Sequence, residues 1–218
     1  MNDNWIKTGA WCGVVAVVCY LGAAFAPLPA TASIILAFHF GILLAVSFIG
    51  LSFYLSGDKQ PSIVTVLMKY AGIIAGVVVT TMLTVQQSFF ISYQNIQATA
   101  DTAEKLSIKQ THLFELINTV HLGLDVCWDL FISWAGLLLG IAMLRSRKFW
   151  KLTAWYFIII HASLLALNLA TFPVPPGDAG LIDLGPFIGL SYLVLNAYIL
   201  LKKKKKMASP NVLFRETA

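Results

Sequence analysis

Apolar blocks of roughly 20 residues follow one another along the chain, each the length an α-helix needs to cross a bilayer core. They fall at about 5–25, 33–54, 66–90, 116–144, 152–169 and 186–201, with only short polar breaks between them. Membrane barrels are the alternative, but their strands alternate apolar and polar residues over about 10 positions. Runs such as 141–144 and 155–160 do not alternate. The expected fold is all-α: one domain, residues 1–201, forming a polytopic bundle of six transmembrane helices, and then a basic tail, 202–218.

Composition points the same way. With 58% hydrophobic and 11% charged residues and a mean hydropathy of +0.79, a soluble domain of 218 residues would lack a sufficient charged surface. Cys12, Cys19 and Cys127 all lie inside apolar blocks and form no CxxC pair, so they read as buried free thiols.

The breaks have recognisable chemistry. Pro27 and Pro29 separate the first two blocks, and Ser56-Gly57-Asp58-Lys59-Gln60-Pro61 ends the second. The third block is expected to continue as a water-exposed helix through Tyr93 and Asn95, since nothing breaks it before Asp101. Pro186 suits the first turn of the sixth helix, and the lysine run at 202–206 is expected to stop it. Lys7, an apolar run and Gly22-Ala23-Ala24-Phe25-Ala26 resemble the three regions of a signal peptide, but Pro27 directly after the candidate cut disfavours cleavage.

Lys and Arg in short loops set orientation. The basic clusters at 145–151 and 202–206 fall on one side of a six-span arrangement, together with Lys7 and Lys59. The loop holding Pro27 is uncharged, and the one holding Asp178 and Asp183 is acidic. Asp101, Glu104, Lys105 and Lys109 balance each other in the third loop. Both termini are therefore expected on the cytoplasmic side. Trp5, Trp11, Trp150 and Trp155 lie toward the same ends of their spans, as an interfacial aromatic belt does. Lys202, Lys203, Lys204, Lys205 and Lys206 read as a topology anchor that also attracts anionic lipid headgroups, at about 1 kcal/mol per basic residue. Gly9 with Gly13, Gly72 with Gly76, Gly136 with Gly140 and Gly185 with Gly189 have the spacing that lets helices approach closely, read here as contacts within the bundle.

Ionisable side chains inside spans are costly unless paired or wet, so each marks a candidate site. The fourth span is richest: Asn118, His121, Asp125, Asp129 and Ser133 recur at three- and four-residue steps, which puts them on one helix face, and Glu115 extends the line outward. Asp125 lies roughly 15 Å along the helix from Glu115, at about 1.5 Å per residue. His39, Gln86, Gln87, Asn168 and Thr171 also fall in the outer half, with His161, Tyr192 and Asn196 nearer the middle. The cytoplasmic half is nearly all apolar apart from Lys69 near its edge. This asymmetry implies a polar chamber reached from outside.

Two carboxylates one turn apart do not both ionise cheaply in a low dielectric, so Asp125 and Asp129 are expected to share a proton or hold a cation, with His121 as a relay outward. A second reading is a zinc site drawn from His39, His121, His161 and Asp125, although no HxxxH or HExxH spacing supports it. A third is haem between His121 and either His39 or His161. No nucleotide-binding glycine loop, nucleophile elbow or basic aromatic surface for nucleic acid is present.

The stretch 125–130, the glycine-rich run to Arg145, and Phe172-Pro173-Val174-Pro175-Pro176-Gly177-Asp178 through Pro186 resemble a bacterial family of small multi-span membrane proteins of unknown function. The resemblance covers roughly the C-terminal half and implies a bacterial inner-membrane location; it brings no reaction. Physically, the prolines and glycines of that loop would hold Asp178 and Asp183 at definite positions over the outer mouth, where acid concentrates cations.

The functional expectation is binding of a small cationic or polar ligand in an outward-facing chamber, with proton coupling through Asp125 and Asp129. Alternatives are a metal-dependent membrane enzyme acting on a lipid or other amphiphile, and a non-catalytic subunit of a larger membrane complex or homo-oligomer. No inverted repeat is detectable, and six spans are few for an alternating-access carrier, which favours binding over transport. Orientation is checked with reporters: green fluorescent protein fused after Ala218 should fluoresce, and alkaline phosphatase inserted beside Asp178 should be active. The reverse pattern would invert the topology.

Overall fold

The structure is a computed structural model that describes residues 2–26, 28–99, 113–146 and 148–207. Pro27, Arg147 and the third-loop residues Asp101, Glu104, Lys105 and Lys109 lie outside that description, as do the side chains of Lys203, Lys204, Lys205 and Lys206. Six helices account for the described chain: α1 Asn2–Phe25, α2 Ala30–Ser56, α3 Ile63–Thr99, α4 Leu113–Arg145, α5 Lys151–Thr171 and α6 Gly185–Met207. All six are long and apolar enough to cross a membrane, and no strand occurs among the described residues. Large apolar side chains such as Val18, Ile42, Val77, Ile159 and Val194 are exposed along the outside, a surface that suits lipid tails and would not be stable in water.

The helix ends follow local chemistry. Pro29 precedes α2, its carbonyl accepting the N–H groups of Ala32 at 2.9 Å and Ser33 at 3.1 Å. Gly57 closes α2 at φ 62°, a conformation that disfavours a Cβ, and donates its N–H to Phe53 O at 2.9 Å. The third helix runs past Phe90 to Thr99, so its 37 residues reach about 55 Å at about 1.5 Å each, well beyond a bilayer core of about 30 Å. One expectation fails. The lysine run does not stop α6, which continues through Lys206 to Met207. Lysine is a good helix former; its charge ends the apolar window, which closes at Lys202, and leaves the backbone helical.

Packing follows chain order around the bundle. The first helix packs against α2 and α6, α2 against α3, α3 against α4, and α4 against α5. The ring is closed between α5 and α6 mainly through side chains: the Tyr192 ring meets Phe48 of α2 and Phe157 of α5, each at 5.5 Å, and His161 of α5 at 5.8 Å. Around this hub sits the core of Phe48, Leu51, Met68, Leu139, Met143 and Ile199, all at most 2% exposed.

One end of the bundle collects the basic turns. Asn2 Nδ2 donates to Gly57 O at 3.2 Å, Lys148 Nζ donates to Tyr54 O, and Lys202 Nζ donates to Lys148 O at 3.2 Å. The start of α1, both of these turns and the last turns of α6 therefore share one end, and the proline-rich loop lies at the other.

Backbone approach is tightest where α1 crosses α2. A Cβ on Gly9 would sit 2.5 Å from Gly50 Cα. Gly9→Ala should therefore destabilise the bundle by about 1–3 kcal/mol, as overpacking does. Gly123 on α4 has nothing within 4 Å of such an atom, so Gly123→Ala should be neutral or slightly stabilising through helix propensity. Thermal unfolding of both variants in one detergent checks the contrast.

Candidate functional site

At the end opposite the basic turns, the helices enclose a cavity of about 660 Å3. Three helices and a loop supply its polar groups: Ser33 from α2, Gln86 and Gln87 from α3, Asp125 and Asp129 from α4, and Asp178 and Asp183 from the loop after α5. Four aromatic side chains, Tyr20, Phe40, Phe90 and Trp128, complete much of the wall, and among the described residues no Lys, Arg or His lines it. Phe40 stands edge-on to Trp128 at 6.1 Å and tilted against Tyr20 at 5.3 Å.

The loop forms a fixed roof. Ala179 N–H donates to Pro175 O at 3.0 Å, Gly180 N–H to Gly177 O at 3.1 Å and Leu181 N–H to Pro176 O at 2.8 Å. Gly180 takes φ 79°, which its lack of a side chain permits. Asp183 Oδ1 then accepts the N–H of Gly185 at 2.8 Å, capping the start of α6 while its carboxylate borders the cavity. Asp178 and Asp183 are both exposed, at the mouth.

The floor is made by α4 and α5. Asp129 is 9% exposed, and Asn168 Nδ2 donates to its Oδ2 at 2.9 Å and to Leu164 O at 3.0 Å. Asp125 and Asp129 sit one turn apart on α4, and Asn168 reaches Asp129 because α5 runs back alongside. The antiparallel register is set lower down, where the His161 ring packs directly on Gly136.

The expected polar set divides cleanly. Asp125, Asp129, Gln86, Gln87, Asp178 and Asp183 meet on one cavity, and Asn168 supports it from behind. Asn118 is exposed, and His121 is half-buried without lining the cavity. His39 is exposed, its Nδ1 against Ile35 O at 2.7 Å, while its neighbour Phe40 faces the chamber. The zinc reading is not supported by the geometry: among the described residues, no three His, Cys, Asp or Glu side chains are placed so that they could hold one metal ion. Nor do His121 and His161 face each other across a haem. The latter rests on Gly136, 15 residues from His121 along α4, a rise of roughly 22 Å at about 1.5 Å per residue.

The aromatic wall was not anticipated. Trp128 lies three residues after Asp125 and shares its face, so helical spacing alone could have found it. Tyr20 and Phe40 carry no such mark, since aromatic residues occur throughout these spans. A second polar contact was also missed: Ser47 Oγ donates to Asn196 Oδ1 at 3.3 Å, beneath Gly13.

Removing the amide beneath the carboxylate should be costly. Asn168→Leu leaves Asp129 without its buried donor and should destabilise by about 1–3 kcal/mol, while Asp129→Asn, which keeps a hydrogen bond to the amide, should cost less than half of that. Thermal unfolding of the two variants in detergent gives the order. No family model, no curated protein and no solved structure matches this chain.

Proposed function

We propose that this chain is a multi-pass protein of a bacterial cytoplasmic membrane, with both termini inside, that binds a small organic cation in its outward-facing chamber. The orientation is supported by the gathering of Lys148 and Lys202 with the N-terminal end of α1 at the end away from the chamber. The location is supported by the resemblance of the proline-rich loop.

One observation carries the ligand class. A single cavity is lined by four carboxylates and four aromatic rings, and no basic side chain among the described residues lines it beside the acids. Carboxylates of like charge around one low-dielectric space repel, and a cation between them relieves the repulsion. Aromatic faces favour an organic ammonium over a bare metal ion, by about 0.5–2 kcal/mol per well-placed ring. A volume of about 660 Å3 suits a whole small molecule, within the usual range of about 300–1,000 Å3 for ligand sites. Asp178 and Asp183 draw cations to the mouth; Asp125 and Asp129 hold the charge below; Gln86 and Gln87 offer both donors and acceptors to a polar substituent.

Calorimetry on detergent-purified protein tests this with tetramethylammonium, spermidine, sodium and magnesium. Saturable binding of an ammonium is expected, weakened at least 10-fold by Asp125→Asn or Asp129→Asn. Trp128→Leu should weaken tetramethylammonium by about 2- to 30-fold, the equivalent of one cation–π contact. The proposal fails if no ammonium binds, or if the Asp125→Asn, Asp129→Asn double variant binds as the parent does.

A further inference from the structure

The fifth and sixth helices are neighbours in the ring that do not pack face to face, and they leave an open groove of about 610 Å3 between them. Its rims are exposed side chains, Leu152 and Tyr156 on α5 and Leu190 and Val194 on α6, and its floor includes the buried Phe157 and Leu195. No charged side chain among the described residues lines it. The groove is therefore an apolar slot that faces the lipid.

Its length matches one leaflet. The basic end is fixed by the Phe149 ring, 6.0 Å from that of Tyr198, and by Tyr198 OH, which donates to Lys148 O at 3.4 Å. From Tyr198 the α6 wall extends to Phe187, roughly 16 Å away at about 1.5 Å per residue, or about half of a hydrocarbon core of about 30 Å. On α5 the wall covers only the first two turns, as far as Phe157. A membrane-spanning partner helix needs a face along the whole core, whereas a lipid chain reaches only to the midplane. The slot has the length of the second.

Charge gathers at the same end. Lys202 Nζ donates to Tyr198 OH and to Lys148 O, each at 3.2 Å, which holds its ammonium where the groove meets the interface. Lys151 is exposed and opens α5 between the groove residues Trp150 and Leu152. Trp150 is 75% exposed, as a ring at headgroup level is. Two acids at this end, Asp3 and Asp58, line a separate pocket with Lys148 and Lys202 and do not line the groove. A chain lying in the slot thus brings its headgroup to two lysines. An anionic headgroup answers that charge, and a zwitterionic one carries its own cation there.

We infer that the α5–α6 groove is a site for one anionic phospholipid of the leaflet at the basic end, with an acyl chain against Phe157 and Leu195 and its phosphate at Lys202 and Lys151. This differs from the diffuse attraction of the lysine run, because the site has an apolar half and holds a single lipid. The inference rests on the six helices spanning a bilayer and is indifferent to what the chamber binds.

Native mass spectrometry of the detergent-purified chain, titrated with phosphatidylglycerol and with phosphatidylcholine of the same acyl chains, tests it. One phosphatidylglycerol per chain should bind at least 5-fold more tightly than phosphatidylcholine. Lys202→Gln and Lys151→Gln should each weaken phosphatidylglycerol by about 5-fold, the usual effect of one basic residue near anionic lipid, and leave phosphatidylcholine unchanged. Lys59→Gln removes an equal charge from the same end, outside the groove, and should change neither lipid. Val194→Trp fills the groove from a position 61% exposed, where the fold tolerates it, and should weaken both lipids at least 5-fold. Equal affinity for the two lipids overturns the site, as does a loss in Lys59→Gln equal to that in Lys202→Gln, or full binding in Val194→Trp. A dimer that Val194→Trp splits, with no lipid bound by the parent, makes the groove a protein contact and overturns it too. A chain that stays soluble without detergent and takes neither lipid removes the membrane reading as well.

Discussion

A bundle whose exterior is apolar has to settle every polar group it carries inside itself, and this single constraint organises the molecule. Backbone groups are met within the helices. Side chains have fewer choices, because a neighbouring helix, a cavity or a helix's own carbonyls are the only partners in reach. Many take the last course: Thr80, Thr84, Thr119 and Thr171 each donate to the carbonyl four residues back. Asp125 and Asp129 cannot do so, since a carboxylate only accepts. They are gathered instead into the large polar chamber, with an amide from α5 donating to Asp129.

Glycine determines where that space is able to exist. Toward the basic end, α1 and α2 touch backbone to backbone at Gly9 and Gly50, and the Phe48 ring fills the notch at Gly72 of α3. Side chains between them pack closely, and Phe48, Leu51, Met68 and Met143 are at most 2% exposed. Toward the other end, the contacts become looser; Gly189 of α6 meets the Tyr20 ring and Val17 at ordinary van der Waals distance. The chamber opens where the helices are held apart by Tyr20, Phe40 and Trp128, so the same rings that would bind an ammonium also keep room for it.

How much of this is legible in the sequence depends on the kind of signal. Helix number is plain because apolar length is a one-dimensional property, and Asp125 with Asp129 stand out because charge inside a span is rare and their spacing is helical. Helix ends are less legible: at Lys202 the apolar window and the helix part company, since hydropathy reports the surroundings and not the backbone. Depth along an axis predicts a shared layer, and it brought Gln86, Gln87 and Asn168 to the right level. Rotation about the axis is what depth omits. His39 is adjacent to a chamber residue yet faces outward, and Asn118 continues the polar face of α4 beyond the turns that meet a neighbour. The roof is legible as rigid from its prolines, but its hydrogen bonds could not be assigned from spacing.

The closure of the ring differs from its other contacts in a way that bears on what the bundle can do. Four successive helix pairs are joined by close backbone approach or by long packed faces, whereas α5 and α6 meet mainly through Phe157, His161 and Tyr192. Separating a glycine-lined crossing moves two whole helices. Loosening a ring contact needs only changes of side-chain rotamer, and among the described residues the Tyr192 hydroxyl and His161 Nε2 have no hydrogen bond to give up. The side-chain contact between α5 and α6 is therefore the part of the bundle that is cheapest to rearrange, and the glycine-lined crossing of α1 with α2 is not.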